Sequence, residues 1–531
     1  MHARLARLTA AALLCATLCS SGAVAQPAPS GPAAGSYLLT PDVVTDERGR
    51  TVAVERGLLF VPENRRVPGS RLIAVHFVRF PSFAPQAAGR APVFLLPGGP
   101  GWGFDLADPL VFDEIERLRR TRAVVYVGQR GFSGEPGLVP ELRVRYDALP
   151  ADTLVTARQR AERDRVTLAA ALERWQRLGV DVTGYDILNI TDDLHDLRAA
   201  LGYERIVLRG CSFGSQWSLA YMARWPATVE RAFLSGVEPL DYGYDSPQWL
   251  WASMARVAAA AEADPDVAPH VPAGGIMQAL RTVIARLEAR PVSVTIRRTA
   301  TGADVVVPIG ADDLRGVLTS LSLNRRRALE NLAQWPRFIL ELHGGDHRFL
   351  AARVAEERAR RRSESLILPL LNHSVGISAA RDARLQAEPA ARWLGDINLR
   401  ERVARSSATT PQVDDRFRAD RRIDVPTLLV AGDYDWSTPI ENAEHLATLL
   451  PSGHLVRVRG GRHCTETNFG ELPAQLQGET ARLYRFVDAD FARSSPAEFF
   501  RTLPGELRLA PIDFAPPTGR SLYEEWLARQ E

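Results

Sequence analysis

The chain has 531 residues, 46% of them hydrophobic and 24% charged, with a formal net charge of +2. That balance excludes disorder as the default state and gives no electrostatic reason to expect nucleic acid or an anionic membrane as partner. The length allows roughly two or three compact units, and since no lysine occurs, the side-chain cations are arginines that stay charged at any workable pH.

The first 25 residues read as a secretory signal. Arg4 and Arg7 precede an apolar run over residues 8–19, and Ala23-Val24-Ala25 offers a small-x-small cleavage site after Ala25. A secreted or periplasmic protein is expected. The apolar run is shorter than the roughly 20 residues of a membrane helix. Leu14 and Leu18 stand before Cys15 and Cys19, where a lipoprotein anchor wants a small residue. No later segment is predicted to span a bilayer, so no membrane partner is expected once the signal is removed. Residues 26–36, rich in Pro, Gly, Ala and Ser, form a flexible lead-in.

Strands are predicted over residues 57–67 (with a turn), 71–80, 91–96, 123–127, 205–208 and 232–237. Helices are predicted over 111–120, 154–178, 190–201 and 215–224. Strands alternating with helices imply a parallel sheet covered on both faces. From residue 241 to 410 the chain reads as mainly helical, with one hairpin-like patch over 292–309. The alternation resumes with a strand over 425–431, a helix over 440–450 and a last strand over 454–458. The expected organisation is a core in two parts, 37–240 and 411–531, with 241–410 inserted as a cap. The tail after residue 494 is Pro-rich and loosely patterned.

Gly210-Cys211-Ser212-Phe213-Gly214 lies between a predicted strand and a predicted helix. This is the setting of a nucleophile elbow, in which a tight turn lifts Ser212 above the sheet edge. A serine needs a base within hydrogen-bond reach, and the base needs a partner to fix its tautomer. His463, in the GGRH loop after the last predicted strand, is the expected base. The acid is Asp433 or Asp435, both in GDYDWSTP; alternation points both to one side and does not choose between them. LPGGPG, residues 96–101, follows the strand VFLL, where glycines let backbone N–H groups approach an oxyanion. The expected donors are the amides of Phe213 and Gly99, with Gly98 as the fallback. No G-K-[ST] follows, so nucleotide binding is not expected. His343 and His347 flank a Gly-Gly and are read as loop residues, so neither a metal nor a cofactor is implied. Serine at 212 excludes the dehalogenases and epoxide hydrolases, which want an aspartate there.

The block over residues 192–226, DDLHDLRAALGYERIVLRGCSFGSQWSLAYMARWP, resembles the proline iminopeptidases and tripeptidyl aminopeptidases of peptidase family S33, which have the α/β-hydrolase fold. LPGGPG is similar to their HGGPG segment, with Leu-Pro in place of a frequent histidine. GQRG over 128–131 is similar to their DQRG, with Gly128 replacing the aspartate. GDYDWSTP is similar to their GxxDxxTP block, which puts the acid at Asp435. The resemblance implies an α/β-hydrolase fold: a mostly parallel sheet with helices on both faces and an inserted cap. It also implies an acyl-enzyme exopeptidase whose cap acids hold the substrate's α-ammonium. Glu238, Asp241 and Asp245 are candidates for that role, against the competing reading of surface acids. An esterase or amidase on small acyl substrates is the alternative, and a binding protein that keeps the fold without activity is a third reading. Cys211 and Cys464, which flank the chemistry, are expected to be buried and inert. If they lie close enough to react or to pair, a mercurial or maleimide is expected to inhibit.

Overall fold

The computed structural model describes residues 31–84, 89–103, 105–132, 141–297, 302–320, 328–405, 407, 410–464 and 474–529. The predicted signal lies outside the described residues, as do residues 26–30 of the lead-in. Among the described residues no helix is long and apolar enough to cross a membrane.

Five strands come first: β1 (Tyr37–Thr45), β2 (Thr51–Pro62), β3 (Leu72–Phe80), β4 (Val93–Leu96) and β5 (Val124–Val127). They are followed by β6 (Arg143–Tyr146), β7 (Ile206–Cys211) and β8 (Val229–Ser235). The hairpin β9 (Val292–Arg297) and β10 (Asp304–Ile309) and the short β11 (Arg362–Ser365) come next. The last three are β12 (Thr427–Gly432), β13 (Gly453–Arg459) and β14 (Glu506–Arg508). Ten of these form one sheet in the order β1-β2-β3-β5-β4-β7-β8-β12-β13-β14. The pairs from β1 to β5 along this order are antiparallel, and those from β5 to β14 are parallel. This is the α/β-hydrolase fold.

The central strands are continuous apolar runs because both faces are covered. On β4, Phe94 and Leu96 face one hydrophobic cluster, while Val93 and Leu95 face another on the opposite side. β5 divides in the same way, Val125 and Val127 against Val124 and Tyr126. The helix Ile187–Ala200, capped by Asp186, and the helix Phe213–Arg224 cover the first face.

The insertion builds its own core from the helices Pro247–Glu262, Gly275–Ala289 and Ala328–His343 and the β9–β10 hairpin. Its later part behaves differently. β11 pairs with β6, and Ile367, Leu370 and Leu371 of the next helix pack into the sheet-side cluster. The C-terminal tail is more ordered than its composition suggests. It adds β14 to the sheet edge, then sends Phe514, Leu522 and Tyr523 into the cap's core.

Besides β14, three strands escaped the pattern. β1 is exposed along most of its length, as an edge strand is, and so shows almost no alternation. β6 (RVRY) and β11 (RSES) are polar and are held by pairing with each other.

Candidate active site

Ser212 ends the turn after β7 with φ 57° and ψ −131°, a left-handed conformation rare outside glycine. The neighbouring glycines show why the turn is possible. A Cβ on Gly210 would lie 2.3 Å from Gly214 O, and one on Gly214 would lie 2.1 Å from Leu96 O. Ser212 makes no side-chain cap for the helix it begins. The Ser215 amide donates to Ser212 O at 2.7 Å, and the Phe213 amide stands at the positive end of the helix dipole.

His463 follows β13. Its Nδ1 lies 2.9 Å from Asp435 Oδ2 and 3.2 Å from Oδ1. The amides of Ser437 and Thr438 both donate to Asp435 Oδ1 at 2.8 Å, and the Thr438 hydroxyl donates to Oδ2 at 2.6 Å. Thr438 Oγ1 is also 3.1 Å from His463 Nδ1, so this residue touches both acid and base. Sequence reasoning passed over Thr438; its place in the STP turn was the available signal. Asp433 points elsewhere: it accepts from Gly460 N at 2.7 Å and pairs with Arg459, bracing the turn before the histidine. A methyl group placed on Gly236 would be 3.1 Å from both Ser212 N and His463 Cε1, so nucleophile and base meet at one corner.

The glycine loop approaches from β4. A Cβ on Gly98 would be 3.2 Å from Ser212 Cβ and 3.7 Å from its Oγ, so Gly98 is the residue against the nucleophile. Gly99 has φ +112°, and a Cβ there would be 2.8 Å from Trp102 N. Buried Gln129 fixes this loop: its Nε2 donates to Gly98 O at 3.3 Å, and its Oε1 accepts from Gly101 N at 2.7 Å. The Gly98–Gly99 peptide is trans, so the Gly99 N–H points away from Gln129. At Gly128 a Cβ would be 2.7 Å from His76 O, so an aspartate does not fit there.

The three candidate acids separate. Asp241 accepts from Ser378 N and Oγ at 2.7 and 2.6 Å and is thereby committed to tying down the helix Ala379–Gln386. Glu238 is half-buried, whereas Asp245 is exposed. Burial pushes Glu238 up to about 8; Asp245 and Asp435 act in the same direction, while His463 and hydrogen bonding with Ser212 oppose them. Burial pushes Asp245 up to about 7, with the Glu401 charge next and Asp435 also contributing. Glu401, which sequence reasoning did not single out, is itself raised by burial. It sits between Arg400 and Arg402 in the helix Leu399–Ala404, which hid it.

Cys211 and Cys464 are joined by a disulfide. Of the readings of this pair, the bond bears out pairing; the expectations of inert free thiols and of inhibition by thiol reagents are corrected, since neither thiol is free. Cys211, His463 and Cys464 offer atoms within 4.8 Å of one another. With the two sulfurs bonded they are not a thiolate donor set for a metal.

Residues 399–470 match the family model described as TAP-like protein. No curated protein matches the chain. Among solved structures, an α/β-hydrolase from a Medee basin deep-sea metagenome library is 12% identical over 79% of this chain and 95% of its own, with a TM-score of 0.34. A bromoperoxidase from Bacillus anthracis is 13% identical over 81% and 100%, TM-score 0.34. A thermophilic esterase from Thermogutta terrifontis is 15% identical over 81% and 99%, TM-score 0.34.

Proposed function

We propose that this chain, a hydrolase of the α/β-hydrolase type, is a serine exopeptidase acting on free peptide N-termini. The carrying observation is a Ser212–His463–Asp435 constellation with Glu238 in hydrogen-bonding reach of Ser212 and Asp245 near enough to feel the charges of Asp435 and His463. The match to the TAP-like family model supports the reading, because the matched stretch holds Glu401, Asp435 and His463. The predicted signal and the disulfide both suit an oxidising, extracytoplasmic compartment.

His463 takes the Ser212 proton, with its other nitrogen held by Asp435. Ser212 attacks the carbonyl, and the amides of Phe213 and Gly99 receive the oxyanion. His463 protonates the leaving amine, then activates the water that releases the acyl group. The reaction calls for no cofactor.

Glu238 and Asp245 supply the specificity. Carboxyls that burial and mutual repulsion hold part-protonated gain from an arriving ammonium, which cancels both penalties. Glu238 stands within hydrogen-bonding reach of the nucleophile. An ammonium held there is one residue from the scissile carbonyl, whereas three extended residues span about 10 Å. Release of single residues is therefore favoured over release of tripeptides.

The test compares aminoacyl and tripeptidyl nitroanilides, with free and acetylated N-termini, and a short-chain nitrophenyl ester, using Ser212→Ala as control. Aminoacyl substrates with a free amine are expected to be cleaved best, and the control to be inactive. Glu238→Gln is expected to raise KM for those substrates by about thirtyfold, the lower end for removing one partner of a buried charge pair. Indifference to acetylation would move the assignment to an esterase or amidase.

A further inference from the structure

We infer that the Cys211–Cys464 disulfide is a positioning element of the active site, so that its reduction stops catalysis while the fold persists. This rests on the assignment of Ser212 and His463 above.

The bond joins the residue before the nucleophile to the residue after the base, 253 positions apart in sequence. Their Cα atoms are 5.9 Å apart. The strands that carry them are not neighbours: β8 and β12 lie between β7 and β13 in the sheet. No backbone ladder therefore sets the distance between the two loops directly, and the disulfide does.

Backbone geometry points to the same pair. Among the described residues only two non-glycine positions have positive φ, Ser212 at 57° and Cys464 at 49°. Such conformations persist where the surroundings over-determine them. At Ser212 the surroundings are the sheet and the elbow glycines, and the Ser212 amide donates to Ser235 O at 3.0 Å. At Cys464 the tie is the covalent bond. The same corner holds the catalytic atoms: the point a Gly236 methyl would occupy is 3.0 Å from Cys464 Sγ and 3.1 Å from His463 Cε1. Asp435 and Thr438 hold the far side of the imidazole. The cross-link holds the segment that delivers the ring to Ser212.

The sheet itself does not depend on the bond. β7–β8, β8–β12 and β12–β13 are each paired through their backbones. Cys464 is 2% exposed, but Cys211 is only half-buried, which gives a small dithiol a sulfur to attack. In the exchange a dithiol thiolate attacks one sulfur and the other leaves as a thiolate and takes a proton. The dithiol's second thiol then closes its own disulfide. Two electrons pass to the protein, which ends with two cysteine thiols.

The experiment uses the full chain with dithiothreitol, capping by iodoacetamide, and the double variant C211S/C464S. Initial rates give kcat and KM separately, a fluorophosphonate gives the labelling rate of Ser212, and circular dichroism and a urea midpoint report the fold. The reduced, capped protein and the variant are expected to lose about a hundredfold in kcat and in labelling rate, the scale of an ångström-sized misplacement. KM is expected to stay within about twofold of the oxidised value, since the imidazole that loses its place is not among the groups that hold the substrate amine. Circular dichroism is expected to be unchanged, and removing the reductant before capping restores activity. Full kcat in a reduced protein with native circular dichroism overturns the inference. So does loss of activity that tracks loss of structure across the dithiothreitol series. Activity surviving in Ser212→Ala overturns the underlying assignment as well, which separates the two failures.

Discussion

Asp433 and Asp435 stand two residues apart in one loop, and hydrogen bonding alone divides their work. Asp435 receives two amides and a hydroxyl and turns its second oxygen to His463 Nδ1. Asp433 braces Gly460 and Arg459. Asp435→Asn is expected to lower kcat about 10⁴-fold with little change in KM, because an amide at this place favours the wrong imidazole tautomer. Asp433→Asn is expected to leave kcat within a few-fold, and steady-state kinetics on one substrate distinguish the two. Resemblance to a sequence block had pointed to Asp435. Periodicity could not, because both residues share one side of an extended segment.

At the scale of elements, the connections depend on buried ionic ties that no hydrophobic pattern reveals. Arg130, fully buried after β5, pairs with Asp193 of the helix Ile187–Ala200 at 2.6 Å and donates to the carbonyls of Glu63 and Gly184. It thereby holds the β2–β3 turn, the helix and the GQRG loop together, and the same loop supplies Gln129 to Gly98 and Gly101. Asp193→Asn leaves this guanidinium without its counter-charge and is expected to cost about 3–5 kcal/mol of stability, read as a fall in the urea midpoint. Trp436 makes a second tie. It sits next to the acid, yet its ring packs in the cap's core with Trp335, the ring centres 5.4 Å apart. The acid loop is thus anchored in the insertion as well as in the sheet.

Across the whole molecule, burying a carboxyl such as Glu238 couples stability to pH. Glu238, pushed up to about 8 by burial, keeps in the folded state a proton that the unfolded chain releases near its ordinary 4.5. The unfolded state therefore binds fewer protons through this interval, and raising the pH from about 4.5 to about 8 favours unfolding. Carboxylates such as Glu63 and Asp181, held low in the fold, act below that window and in the opposite sense. Melting temperatures of the wild type relative to Glu238→Gln are expected to decline steadily across pH 5–8. A flat difference would show that Glu238 is ionised throughout.

The sequence by itself determined the alternation of strand and helix, the elbow at Ser212, the late histidine loop and the insertion's helical character. These are local signals, set by periodicity, glycine placement and chain order. Tertiary structure decided what depends on partners distant in the chain. It chose between two neighbouring aspartates and placed Gly98 against the nucleophile. It drew Glu401 out of a charged helix to join Glu238 and Asp245, while Asp241 went to Ser378. It sent an unpatterned tail into the cap. It also joined two cysteines 253 residues apart, because only the folded sheet brings the ends of β7 and β13 to one corner.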